Sequence, residues 1–254
     1  MKLRVLGCHG AELPGHGTCG FLINHSVLLE GGTVCSSLTL SEQRRIRYIL
    51  LSHIHVDHIK SLPFLSENLV GVKGRKPITI ISLPGVVAGL RRYLFNNQIW
   101  PDFTALPARN PVFRLRAIRE GESIAIDGLR VQAVAVNHTL PCAGFLIRHN
   151  KSALVFSGDT YRTDKIWRLA ANIGDLRAAM IETSFPNALA ELAAASKHLT
   201  PALLVKEFTK IGKPGLPLYI YHVKPRYRDR IRKELRRLNI PRMTILKDGA
   251  VFRV

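Results

Sequence analysis

Apolar and polar positions alternate with a period of two over much of this chain. Lys2 to Gly7, Gly20 to Leu29, Phe113 to Ile118, Glu122 to Ile126 and Arg130 to Val136 therefore read as strands. Shorter apolar runs read as further strands: Tyr48 to Leu51, Pro77 to Ser82, Ser152 to Phe156, Ala178 to Ile181 and Leu218 to Tyr221. The period changes to a helical one over Leu40 to Arg47, with Ser41 as the cap, and again over Val86 to Phe95 and Leu189 to Ala195. Arg226 to Leu238 places Ile231, Leu235 and Leu238 on one face and arginine and lysine on the other. Thr244 to Leu246 and Val251 to Arg253 are expected to close the chain as a strand pair about a turn at Asp248-Gly249. No low-complexity segment, linker or fixed-period repeat interrupts the pattern. Many strands with helices between them predict an α+β fold, a two-sheet sandwich forming a single domain over residues 1–254.

Composition narrows the class without naming a chemistry. A chain of 254 residues with 46% hydrophobic content can bury a large core. It has no uncharged apolar run of membrane-spanning length, and the first residues lack the apolar core of a signal peptide, so no membrane partner is expected. Four cysteines, Cys8, Cys19, Cys35 and Cys142, show no CxxC spacing and read as reduced thiols of a cytoplasmic protein, with core packing the expected role of Cys8 and Cys142. The net charge of +19 fits an anionic partner, either nucleic acid or a phosphate-bearing small substrate, and equally a solvated basic surface.

The chemistry lies where strands end. The run Tyr48 to Leu51 leads into His53-Ile54-His55-Val56-Asp57-His58. In extended backbone His53 and His55 share a face, Asp57 and His58 follow as the chain turns, and Leu62, Phe64 and Leu65 then face a core. Imidazole and carboxylate donors together suit zinc, iron or manganese. Three later donors, His138, Asp159 and His222, also stand just past strand ends, as a metal rim built on a rigid sheet requires. The loop His9 to Gly17 is expected to line the site, but neither His9 nor His16 has ligand spacing. Asn96 to Phe103 mixes amides with aromatic rings, either to grip a flat ring or because Trp100 and Phe103 pin the loop to the core.

His-x-His-x-Asp-His after a strand resembles the signature of the metallo-β-lactamase superfamily of metal-dependent hydrolases. The resemblance implies an αββα sandwich of two mixed β-sheets flanked by helices, with a site on one rim holding two metals. Ser61 stands where the superfamily often has Gly, and Glu30 where it has an Asp that orients a ligand histidine. It further implies that His53, His55 and His138 bind one metal, that Asp57, His58 and His222 bind the other, and that Asp159 bridges them. The cofactors would be two divalent ions, zinc first, with manganese or iron as alternatives. Two such ions activate a shared water as hydroxide and neutralise charge on a phosphoryl group.

Glu182 to Phe185 and His198 to Thr200 resemble motifs of the phosphodiesterase branch, which includes tRNase Z. His198 is expected to be the general acid or a phosphate contact, oriented by Glu182, whose carboxylate would raise the imidazole pKa; Asp57 joins them as a catalytic residue. The stretches Asn96 to Thr104, Glu182 to Asn187, Ser196 to Pro201 and His222 to Pro225 are similar to class II 3′,5′-cyclic-nucleotide phosphodiesterases, a likeness covering nearly the whole chain. It implies hydrolysis of cyclic AMP or cyclic GMP to the 5′-monophosphate. One alternative is a metallo-ribonuclease of the tRNase Z kind, or another nucleic-acid phosphodiesterase, favoured by the basic segment Lys224 to Arg237 but lacking an insertion like the tRNA-gripping arm. The other is a non-catalytic, basic nucleic-acid-binding protein with a structural metal site, disfavoured because such sites are closed and rich in Cys. The oligomeric state stays open, a homodimer included.

Overall fold

A computed structural model describes residues 1–254. Fourteen strands divide equally between two sheets. The first sheet contains β1 (Lys2–Gly7), β2 (Gly20–Ile23), β3 (Val27–Leu29), β4 (Tyr48–Leu50), β5 (Ile78–Ser82), β6 (Phe113–Ala117) and β14 (Val251–Arg253), in the order β14-β1-β2-β3-β4-β5-β6. The second contains β7 (Ser123–Ile126), β8 (Leu129–Ala135), β9 (Ala143–His149), β10 (Ser152–Phe156), β11 (Leu176–Glu182), β12 (Leu218–Tyr221) and β13 (Met243–Ile245), in the order β13-β12-β11-β10-β9-β8-β7. Each sheet is mixed. From β3 to β6 and from β10 to β13 neighbouring strands are parallel, and elsewhere they are antiparallel.

The apolar runs follow from burial on two sides. In β10 and β11, Leu154, Phe156, Ala178 and Met180 enter the core between the sheets. Their alternate neighbours Val155, Ala179 and Ile181 enter a second core. That core lies beneath the helices α5 (Lys165–Ala171), α7 (Pro201–Thr209) and α8 (Arg228–Arg237), through Trp167, Leu204 and Ile231 among others. A strand covered on both faces has no polar side, so its sequence does not alternate. On the other sheet α3 (Ser61–Leu69) and α4 (Pro84–Tyr93) supply Leu62, Leu65, Val86 and Leu90. The layers are those of the expected αββα sandwich. No helix is long and apolar enough to cross a membrane.

Local details correct the sequence reading. Gly20 to Leu29 is two strands, because Asn24 takes a left-handed φ of 52° and turns the chain. The first helix, α1 (Leu40–Gln43), is capped by Thr39 rather than Ser41: Thr39 Oγ1 accepts from Glu42 N–H while the Glu42 carboxylate accepts from Thr39 N–H. Phe64 is 59% exposed, whereas Leu62 and Leu65 are buried. Strands β13 and β14 do not pair with each other. β13 extends β12 in the second sheet and β14 extends β1 in the first, so each covers an edge that would otherwise lack ladder partners. Strand β9 and helices α3, α5 and α7 went unread, β9 because Gly144 interrupts its apolar run.

Candidate metal centre

The site sits where the parallel strands of both sheets end. β4 leads to His53 and His55, and His55 is the N-cap of α2 (Val56–Ile59), which carries Asp57 and His58. In the second sheet β8 leads to His138, β10 to Asp159 and β12 to His222, while Glu182 is the last residue of β11. His198 follows α6 (Ala190–Ala195). All nine sequence-predicted site residues come together on one rim.

Two donor trios lie side by side. In one, His53 Nε2 is 2.9 Å from His55 Nδ1, which is 3.2 Å from His138 Nε2. In the other, His222 Nε2 lies 3.3 Å from His58 Nε2 and 3.2 Å from Asp57 Oδ2. Asp159 Oδ2 stands between them, 3.0 Å from His222 Nε2, 3.2 Å from His58 Nε2 and 3.8 Å from His53 Nε2.

The imidazoles are aimed from behind. His53 Nδ1 lies 2.8 Å from Ser52 Oγ, His138 Nδ1 is 3.1 Å from the Lys197 carbonyl, and His222 Nδ1 is 2.7 Å from Ser184 Oγ. His58 Nδ1 is 3.2 Å from Glu30 Oε2, though off the hydrogen-bond line. A proton on Nδ1 suits the neighbours of His53, His138 and His222 and leaves those three Nε2 lone pairs facing inward. Three supports have left-handed backbones that only packing sustains: Glu30, Lys197 and His222, with φ of 68°, 58° and 64°. Two glycines give the room. Gly158, with φ of 62°, turns the chain so that Asp159 points inward, and a Cβ on Gly10 would lie 2.6 Å from the His222 ring.

Electrostatics prepares most of this set for cations. Burial pushes His53 and His55 below the ordinary imidazole range and His138 down to about 4, so all three are neutral donors. For Asp159 burial is outweighed by the His222 and His58 imidazoles, and for Asp57 by the His222 hydrogen bond, so both carboxylates stay ionised. His58 differs: burial favours its neutral form, but Asp159 and Glu30 outweigh it and hold the ring protonated.

The donor set fits a pair of metal ions. Its N···N separations of 2.9 to 3.3 Å match the edge of about 3.3 Å that follows from a tetrahedron with bonds of about 2.0 to 2.1 Å. Asp159 Oδ1 is buried with no hydrogen-bond partner, a lone pair left for a cation. Cys19 also lies near His58 and His222, but burial and the Asp159 charge hold its thiol protonated, which fits packing rather than ligation.

Glu182 and His198 form the expected pair, with His198 Nδ1 2.8 Å from Glu182 Oε1. Their electrostatics reverse the sequence expectation. Burial lowers His198 below the imidazole norm, against the pull of Asp159, and Lys224 lowers it further. Burial, then the Asp159 charge, raises Glu182 to about 8. The low dielectric favours a neutral carboxylic acid beside a neutral imidazole over an ion pair. The sequence reading missed Ser184, whose Oγ donates to Glu182 Oε2 at 2.8 Å while meeting His222 Nδ1, so it joins this pair to a donor trio. Its signal was spacing: two residues past Glu182 on extended backbone, it faces the same way.

The sequence model of the β-lactamase superfamily domain matches residues 33–220. A probable 3′,5′-cyclic-nucleotide phosphodiesterase of Yersinia pestis is 29% identical over 209 residues, 73% of this chain and 59% of that protein. Ribonuclease BN of Proteus mirabilis is 26% identical over 152 residues, 59% of this chain and 44% of that protein. The chain thus spans 59% or less of these two relatives. Among solved structures, unliganded yeast PDE1 superposes with a TM-score of 0.83 at 21% identity, covering 98% of each chain.

Proposed function

The chain belongs to the β-lactamase superfamily-domain family, and from that premise we propose that it is a metal-dependent phosphodiesterase that opens 3′,5′-cyclic nucleotides to 5′-monophosphates. The observation that carries the reading is a buried Glu182–His198 pair, 2.8 Å apart, set against two donor trios that share Asp159. The Yersinia pestis relative, named for that activity, supports the choice of substrate. In this reading His53, His55 and His138 would hold one divalent ion and Asp57, His58 and His222 the second, with Asp159 available to both. Such ions would supply a nucleophile from water at neutral pH and neutralise charge developing on the phosphoryl group.

The chain's own groups do the rest. His198 is 7% exposed, and its ring centroid lies 5.1 Å from those of both His138 and His222, so it faces substrate held across the trios. With Glu182 protonated and donating to Nδ1, the proton of His198 is on Nε2. That proton passes to the leaving oxygen as the P–O bond breaks. In the same step the Glu182 proton crosses 2.8 Å to Nδ1, leaving a neutral imidazole and a carboxylate. Ser184 keeps its bond to Glu182 in both states.

Turnover of cyclic AMP and cyclic GMP by the metal-loaded protein tests the proposal. His55→Ala is expected to abolish turnover, and His198→Ala to lower kcat by about 10²-fold with metal content unchanged. Cleavage of RNA with no turnover of either cyclic nucleotide would overturn the substrate assignment in favour of the ribonuclease relatives.

A further inference from the structure

Behind the loop of residues 8–17 lies a second cavity of about 300 Å³ that no residue of the metal centre lines. We propose that it binds a small phosphate-bearing ring compound of the nucleoside-monophosphate class. Its floor is apolar, made by Ile220, Val223, Ile245 and Leu246, and its rim carries Arg232 and Lys247. Arg228, also on the rim, is engaged: its guanidinium lies 2.9 Å from His16 Nε2 and pairs with Asp229. Arg232 and Lys247, both in the lining, have no ion-pair or side-chain hydrogen-bond partner of their own.

The one carboxylate in the lining is already committed. Asp248 accepts from Cys8 N–H at 3.1 Å and from Gly17 N–H at 2.6 Å, and lies 3.2 Å from His9 Nδ1. Cys8, His9 and Asp248 therefore have the spacing of a metal trio but not its chemistry. Burial and Asp248 push the Cys8 thiol up, the carboxylate is satisfied, and the surrounding arginine and lysine repel a cation. The same surroundings attract an anion. Inorganic phosphate would leave the floor uncovered, whereas a ring covers it, with the His9 and His16 imidazoles, 4.7 Å apart and edge to face, as a wall. The volume is at the small end for ligand pockets, which suits a monophosphate.

Occupancy would be felt at the metal centre. Val223 in the floor follows His222, whose N–H donates to the Cys8 carbonyl at 2.7 Å.

Calorimetric titration of the full chain with 5′-AMP, adenosine and inorganic phosphate tests the site, with His55→Ala as a parallel background. Wild type and His55→Ala are both expected to bind 5′-AMP, more weakly as salt rises, and to bind adenosine and phosphate at least tenfold less tightly. Arg232→Glu with Lys247→Glu should lose at least tenfold in affinity while keeping the wild-type melting temperature and basal turnover. The milder Arg232→Gln with Lys247→Gln guards against a folding artefact and should show a smaller loss. Unchanged binding in both double variants, or loss of 5′-AMP binding in His55→Ala, would overturn the proposal. Binding of phosphate as tight as 5′-AMP would overturn the ring assignment. The binding outcomes do not depend on turnover, so the site can fail while the phosphodiesterase reading holds, and the reverse.

Discussion

The two donor trios stand side by side but are built on different electrical plans. His53, His55 and His138 are three imidazoles that burial drives to the neutral form, two of them only half-buried. They carry no charge of their own and rely on Asp159 to attract a cation. Asp57, His58 and His222 include a carboxylate, and the protonated His58 ring lies between Asp159 and Glu30. The first trio is ready for a metal as it stands, and the second must give up a proton. Proximity on one rim therefore does not make two sites equivalent; the charges behind the ligands decide.

The largest test removes what the trios share. Asp159→Ala is expected to lower turnover by about 10³-fold or more and at least to halve metal content, read by metal analysis after dialysis. Retention of full metal content would show that neither trio leans on Asp159. The serines come next. Ser184 supports His222 and also Glu182, whereas Ser52 supports only His53 among the ligands. Ser184→Ala should cost about 10²-fold in kcat and Ser52→Ala about 10-fold, the range for groups that orient ligands. Equal losses would break the distinction. The smallest effect is one of pH. His58 is shifted upward, so metal bound by its trio should weaken first as pH falls. His53, His55 and His138 are shifted downward, so protons compete with their metal only at lower pH. Chelator competition at falling pH should show a steeper loss for one ion than for the other.

What could be read in the sequence, and what could not, divides along physical lines. His53 to His58, His138, Asp159 and His222 were legible because donor residues directly after apolar strands are local patterns, and sheet geometry then gathers them. Glu30 was legible only through the superfamily resemblance, where it stands in place of an Asp. The neutral state of the Glu182–His198 pair was not, since it depends on burial by chain segments distant in sequence. Strands β13 and β14 look like a hairpin locally, and only the open edges of β12 and β1 separate them. The capping box at Thr39 was written in the sequence as Thr39 and Glu42, and a plausible serine two residues on hid it.

His138 takes its orientation from the main chain at Lys197, not from a side chain. The identity of residue 197 is therefore free to drift while the carbonyl does its work, provided the backbone tolerates the left-handed turn. Glycine adopts that turn without the roughly 1–2 kcal/mol that an L side chain incurs. An engineer seeking a hardier molecule has an opening there, next to the chemistry yet outside it.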